Sequence, residues 1–314
     1  MKAVRNTEHG IQTLEVAANP SFGDSSVRIA VRSAGICSGD LQIISQGPHP
    51  RTLGHEIAGL CDDGRAVAVE PYVTCGKCDQ CAGGNYNRCR LGPANLIGYA
   101  FDGGIAEEVW APRRCLAFLP PGLAVRDACL VEPLAVAIHG VRQGSICAGQ
   151  RVAVIGGGTI GQLSIVAARA RGAEVALTAR HPVQIEAGAQ LGAVPVDGGE
   201  YDVVLECAGT ASGIEDGCRL VRPGGTLVLL GIYQDRVCLP SMELLAKEIR
   251  VVPSITYSVH AGVRDIDAAA ALLAAHPEVP RVVITHRFPL ADAREAFRVA
   301  QDRSSGVIKV VFEP

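Results

Sequence analysis

Lysine is scarce in this chain, with four residues against 25 arginines, and tryptophan occurs once and methionine twice in 314 residues. Alongside abundant alanine and glycine, that imbalance reflects the base composition of the gene more than any chemistry. No apolar run approaches the roughly 20 residues a membrane span requires; Ile165–Ala170 is broken by Arg169 and followed by Arg171. The opening MKAVRNTEHG lacks the apolar stretch of a signal peptide. Net charge is −3 and no basic stripe is visible, which argues against nucleic acid as a partner. These absences lead to the expectation of a cytoplasmic protein with no membrane association. The length suits two domains, and an apolar share of 48% supplies a large core.

Cysteine, by contrast, is plentiful, at twelve residues. Without an export signal these read as reduced thiols and metal ligands. Four of them, Cys75, Cys78, Cys81 and Cys89, form a C-x2-C-x2-C-x7-C run within CGKCDQCAGGNYNRC. Thiolates at this spacing can close around one zinc ion as a tetrahedral S4 shell, about 2.3 Å from the metal. A closed shell leaves no open coordination position, so this zinc is expected to hold a lobe together. The other cysteines outside the metal constellations read as core thiols.

A second constellation is dispersed. Cys37 lies in AGICSGD, His55 in LGHEIAG and Glu132 in CLVEPLAVAIHG. One Cys, one His and one or two carboxylates are the parts of a catalytic zinc that keeps a position open for water or substrate. Asp40 and Glu56, each near a candidate ligand, are acids able to orient His55 and tune the metal.

From Gln150 the chain reads RVAVIGGGTIGQLSIVAARARGAEVALTARH. Arg151–Ile155 suits a buried parallel strand, and Gly156-Gly157-Gly158-Thr159-Ile160-Gly161 fits G-x-G-x-x-G directly after it. Gly156 permits the tight turn, Gly158 lets a pyrophosphate approach the backbone, and Gly161 lets helix and strand pack closely. Thr159 and Ile160 open the helix, whose first N–H groups face the phosphates. Further strands are expected at Asp202–Cys207, Gly225–Gly231 and Ile249–Pro253. The second strand ends at Ala179-Arg180-His181, without the acid that accepts from the ribose hydroxyls of NAD. Arg180 can pair with a 2′-phosphate and His181 can add a donor, so NADP(H) is expected over NAD(H).

Taken together, GICSGD, LGHE, the four-cysteine loop, VEPLAVAIHG, VIGGGTIG and PRVVITHRFPLADAREAF make the chain resemble the zinc-dependent medium-chain alcohol and polyol dehydrogenases over nearly its whole length. It looks closer to the sorbitol and threonine dehydrogenase branch, because Glu132 stands where other members carry a cysteine. The resemblance implies an α/β fold: a GroES-like β-rich catalytic domain, residues 1–134 and 256–314, with an inserted Rossmann domain, residues 135–255. It implies two zinc ions per chain. The catalytic one is held by Cys37, His55 and either Glu56 or Glu132, with Asp40 supporting, and the structural one by the four cysteines. It further implies reversible oxidation of a secondary alcohol to a ketone, and a homodimer or homotetramer built through the β-rich edge Arg250–Ile255.

Some positions depart from the family pattern. Gly39 and Gln42 occupy the places where relatives carry a hydroxyl and an imidazole for proton relay, leaving Ser38, Ser45, water or Glu132 as substitutes. Thr256 replaces the arginine that contacts polyol hydroxyls, with Tyr257 beside it either lining the pocket or packing. The stretch between Gly59 and Glu70 is short. A polyol, sugar, cyclitol or ring alcohol all remain open as substrate. The alternatives are a zinc-independent NADPH enoyl or quinone reductase on the same fold, the same dehydrogenase using NAD(H), and a non-catalytic zinc protein.

Overall fold

The computed structural model describes residues 1–314 other than Pro93, Arg303 and Ser305, and gives Asp24 by its backbone alone. The chain divides into two compact units, Met1–Glu132 with Tyr257–Pro314, and Pro133–Thr256, against an expected insertion of 135–255. No helix among the described residues is long and apolar enough to cross a membrane.

The first unit is built on a mixed sheet whose central strand is Ser26–Gly35. That strand pairs antiparallel with Glu56–Cys61 and with Glu108–Pro112. Glu56–Cys61 continues through Ala66–Val69 to Leu116–Phe118. On the other side, the C-terminal strand Lys309–Phe312 pairs with Ala34 and Gly35 and runs parallel to Ile284–Phe288. The inward faces are apolar and β-branched: Ile29, Val31, Ile57, Val67, Val69 and Phe312 are all fully buried. Burial on this face fixes the register, because a one-residue slip would turn each of these side chains to the other side.

The second unit is a doubly wound parallel sheet. Its strands run in the spatial order 194–195, 174–178, 151–155, 201–206, 221–229 and 250–253, all pairs parallel. The order reverses between Arg151–Ile155 and Tyr201–Glu206. Parallel strands covered on both faces must be apolar throughout, and Val152, Ala153, Val154, Val203, Val204 and Leu205 are buried accordingly.

One glycine decides the geometry of the first unit. A Cβ added to Gly35 would lie 1.9 Å from Glu56 Oε2, so the carboxylate occupies the space a side chain would need. Gly35→Ala is therefore expected to cost about 1–3 kcal/mol of stability through overpacking in urea unfolding. Unchanged stability would show that the carboxylate has somewhere else to go.

Candidate active site

The register Gly35↔Glu56 is what assembles the site. Cys37 lies two residues beyond Gly35 and His55 one residue before Glu56, so a single antiparallel pairing brings them together. Cys37 is the N-cap of the helix Ser38–Ser45, and its N–H donates to Asp40 Oδ2 at 2.8 Å in a capping box. Asp40, fully buried, turns its other oxygen toward His55, with Oδ1 3.3 Å from Nδ1. With Nδ1 facing the carboxylate, Nε2 is the nitrogen left for a metal. A Cβ placed on Gly39 would sit 3.6 Å from His55 Cε1 and 3.8 Å from Cys37 Sγ, so ring and sulfur converge on one spot. Burial disfavours charge on His55, yet Asp40 and Cys37 raise its proton affinity well above normal. The spot therefore draws positive charge, and a soft sulfur beside a borderline nitrogen is a donor pair suited to zinc.

The two candidate acids are held differently. Both oxygens of Glu56 accept from Lys309 Nζ, at 2.7 and 2.6 Å, and the same ammonium donates to Ile36 O at 2.9 Å. Lysine and glutamate are both buried, so Glu56 is committed to an ion pair whose rupture would strand a charge in the interior. Glu132, in the helix Val131–Gln143, is buried near Tyr257. Burial pushes its carboxyl up to about 7, with the Glu56 charge adding to the rise and His55, Tyr257 and Lys309 opposing it. Cys37, His55 and the two glutamates are not drawn into a tight cluster. Among the described residues, the four-cysteine group alone brings three or more such ligand atoms within 4.8 Å of one another. Of the substitutes for the missing proton relay, Ser45 donates to Gln42 O at 2.8 Å within its own helix, and Ser38 Oγ lies 4.0 Å from Cys37 Sγ.

In the cysteine lobe, Cys75 Sγ and Cys81 Sγ are 3.9 Å apart and all four residues are free thiols; a disulfide would hold its sulfurs about 2.05 Å apart. Backbone amides donate to the sulfurs, from Cys75 to Cys89 Sγ and from Cys78 to Cys75 Sγ, each at 3.3 Å. Amides of Arg90 and Cys81 bring the Cys78 thiol down to about 6, whereas burial and its neighbours push Cys81 up to about 12. Four sulfurs this close cannot all ionise unless a cation sits among them.

In the second unit, Gly156 has φ +101°, and a Cβ on Gly161 would lie 1.8 Å from Gly156 O, so strand and helix touch through glycine alone. Nothing lies within 4 Å of a Cβ built on Gly158, the N-cap of the helix Thr159–Arg169, which leaves space for a phosphate. Thr159 and Ile160 form its half-buried first turn. Gly157 packs on Ala179 and Gln184, while Arg180 is exposed and, among the described residues, makes no hydrogen bond or ion pair. His181 caps the helix Pro182–Gln190.

Lys309 and Glu206 were the parts least visible in the sequence. Lys309 is one of only four lysines and sits in an otherwise apolar strand, IKVVF, which was the available signal.

Trypsin offers a direct check of the cysteine lobe, since Lys77, Arg88 and Arg90 are exposed within it. Chelation is expected to open residues 75–89 to cleavage, and added zinc to restore resistance. Equal cleavage with and without zinc would mean that no metal organises the loop.

Comparison with known proteins identifies the family. Residues 23–121 match the alcohol dehydrogenase GroES-like domain, and residues 126–313 match the glucose dehydrogenase C-terminus. The chain is 29% identical to a sorbitol dehydrogenase of Halalkalibacterium halodurans, over 100% of this chain and 99% of that protein. It is also 29% identical to the L-galactonate-5-dehydrogenase of Escherichia coli K12, over 88% of each. A crystal structure described as a zinc-binding dehydrogenase from Sinorhizobium meliloti 1021, bound to NADP, superposes with a TM-score of 0.87 at 30% identity, covering 100% of this chain and 99% of that one. The chain belongs to the zinc-dependent medium-chain alcohol and polyol dehydrogenase family, in its sorbitol dehydrogenase-like branch.

Proposed function

We propose that this enzyme transfers hydride between a secondary alcohol, of the polyol, sugar, cyclitol or ring-alcohol class, and NADP(H), using a zinc ion held by Cys37, His55 and Glu132. The observation that carries the reading is the convergence of the Cys37 sulfur and the Asp40-oriented His55 ring on one spot. Alcohol–ketone chemistry follows from the family; the polyol and sugar-acid names of the relatives support the substrate class. A zinc ion at that spot supplies a Lewis acid that acidifies a neighbouring hydroxyl.

The remaining work falls to the chain. Asp40 fixes the tautomer and tilt of His55, and through the amide of Cys37 it also fixes the start of the helix that bears the sulfur. Glu132 is favoured over Glu56 as the third ligand because Lys309 already satisfies both Glu56 oxygens. Lys309 and Glu56 keep the neighbouring sheet in register as a buried pair. A second zinc among Cys75, Cys78, Cys81 and Cys89 serves structure. The NADP(H) preference rests on Arg180, an exposed guanidinium without a partner among the described residues, and on the absence of an acid from Val175 to His181.

Cys37→Ser and His55→Ala are expected to abolish turnover while far-ultraviolet dichroism stays native. Asp40→Asn, which leaves both ligands in place, is expected to lose about 10–100-fold in metal affinity or activity. Wild-type turnover in Cys37→Ser would refute the zinc reading. Separately, Arg180→Ala is expected to raise KM for NADPH by about tenfold or more, the loss of a charge-assisted hydrogen bond, with KM for NADH unchanged. A wild-type preference for NADH would overturn the assignment of the phosphate site.

A further inference from the structure

Glu206 ends the strand Tyr201–Glu206, is fully buried, and has no part in the chemistry assigned above. Its register partner is Ile155, the residue before Gly156, so it stands where the strand order of the parallel sheet reverses. That reversal marks the crevice in which open α/β sheets take their ligands. The carboxylate is surrounded by donors from two loops. Oε1 accepts from the amides of Ala208 and Gly209, each at 3.0 Å, and Oε2 from Gly209 at 3.2 Å and from the Tyr233 hydroxyl. The residue's own carbonyl accepts from the amides of Leu230 and Gly231, at 2.8 and 2.9 Å.

Both loops are pressed together at this point. A Cβ on Gly231 would lie 2.3 Å from Gly209 N and 2.6 Å from Glu206 Oε2, and one on Gly209 would lie 2.7 Å from Ile232 O. The first loop also meets the glycine turn of the fingerprint, since a Cβ on Gly156 would lie 2.9 Å from Ala208 N. Burial raises the proton affinity of this carboxyl, while the Tyr233 hydroxyl and the amides of Gly209, Ala208 and Thr210 counter it. A buried acid is costly unless every oxygen is satisfied, and filling a strand end needs only an apolar side chain. Here the satisfying donors come from two separate loops, which makes the carboxylate a clasp between them.

We propose that Glu206 is a positioning residue for the dinucleotide: it clasps residues 207–210 and 231–233 together beside Gly156, shaping the crevice before the nucleotide enters. The inference rests on the reading of Pro133–Thr256 as an NADP(H) site. A crevice already shaped spares the bound state the ordering of two loops, so the clasp acts on affinity for the nucleotide. It has no reason to alter the handling of alcohol once the nucleotide is bound.

The test is calorimetric titration of NADPH into the full-length, zinc-loaded protein and its variants, with melting temperature and zinc content recorded alongside. Glu206→Ala is expected to weaken NADPH binding by about tenfold or more, and Tyr233→Phe, which removes one hydrogen bond of the clasp, by about threefold. Glu206→Gln keeps the length of the side chain; its amide oxygen can accept from the loop amides and its nitrogen can donate to a turned Tyr233 hydroxyl. It should bind within about threefold of wild type on the same scale. The KM for alcohol at saturating NADP+ should stay the same in all three. A purely structural role would lower the melting temperature while leaving the affinity of the folded protein alone. Should Glu206→Ala fail to fold, Tyr233→Phe carries the test by itself. Wild-type affinity in the variants that fold, with NADPH binding normally to wild type, would overturn the clasp and leave the nucleotide reading standing. Failure of wild type to bind either NADPH or NADH would overturn both.

Discussion

One pairing in the first unit, Gly35 opposite Glu56, sets everything that follows in the candidate active site. It aligns two segments that carry donors just beyond it, Cys37 on one side and His55 on the other. It also forces the Glu56 carboxylate over a residue without a side chain, where Lys309 arrives from the C-terminal strand to meet it. A buried ion pair of this kind adds little net stability, because desolvation offsets most of the attraction, yet it strongly penalises any arrangement that separates the charges. Its effect is on register: a slip in either strand would leave an ammonium or a carboxylate alone in the core.

The same economy governs the second unit. Gly161 touches the carbonyl of Gly156, Gly157 packs on Ala179, and Gly158 stays open. Three neighbouring glycines thus serve two contacts and one vacancy, and only the vacancy leaves room for a ligand. Beyond the end of the adjacent strand, Glu206 ties two loops into one rim. In both units an acid buried at the end of a strand organises backbone that the apolar core does not reach.

The local signals in the sequence carried much of the fold. The strand–glycine–helix order from Arg151 to Arg169 is set by nearest neighbours, and so are the cysteine spacings, whose sulfurs lie within 4.8 Å of one another. Less legible were relations between distant positions. Lys309 and Glu56 are 253 residues apart, and nothing near either one announces the other. Tyr257 was equally readable as packing or as pocket; it is buried, as the first description requires. The proposal of Glu132 over Glu56 rests on Lys309, which no spacing rule could bring to the site. Glu206 lay inside an ordinary apolar strand in the sequence, Asp202–Cys207, and its surroundings depend on loops that meet only when the sheet is wound.

The central claim is that sulfur and imidazole at the end of one strand pairing hold a metal. Anomalous scattering measured on either side of the zinc absorption edge, from crystals grown with zinc, tests it most directly. The account predicts two peaks per chain: one among Cys75, Cys78, Cys81 and Cys89, and one bonded to Cys37 Sγ and His55 Nε2, with Glu56 still on Lys309. A single peak in the cysteine lobe, with the other position empty at saturating zinc, would contradict it.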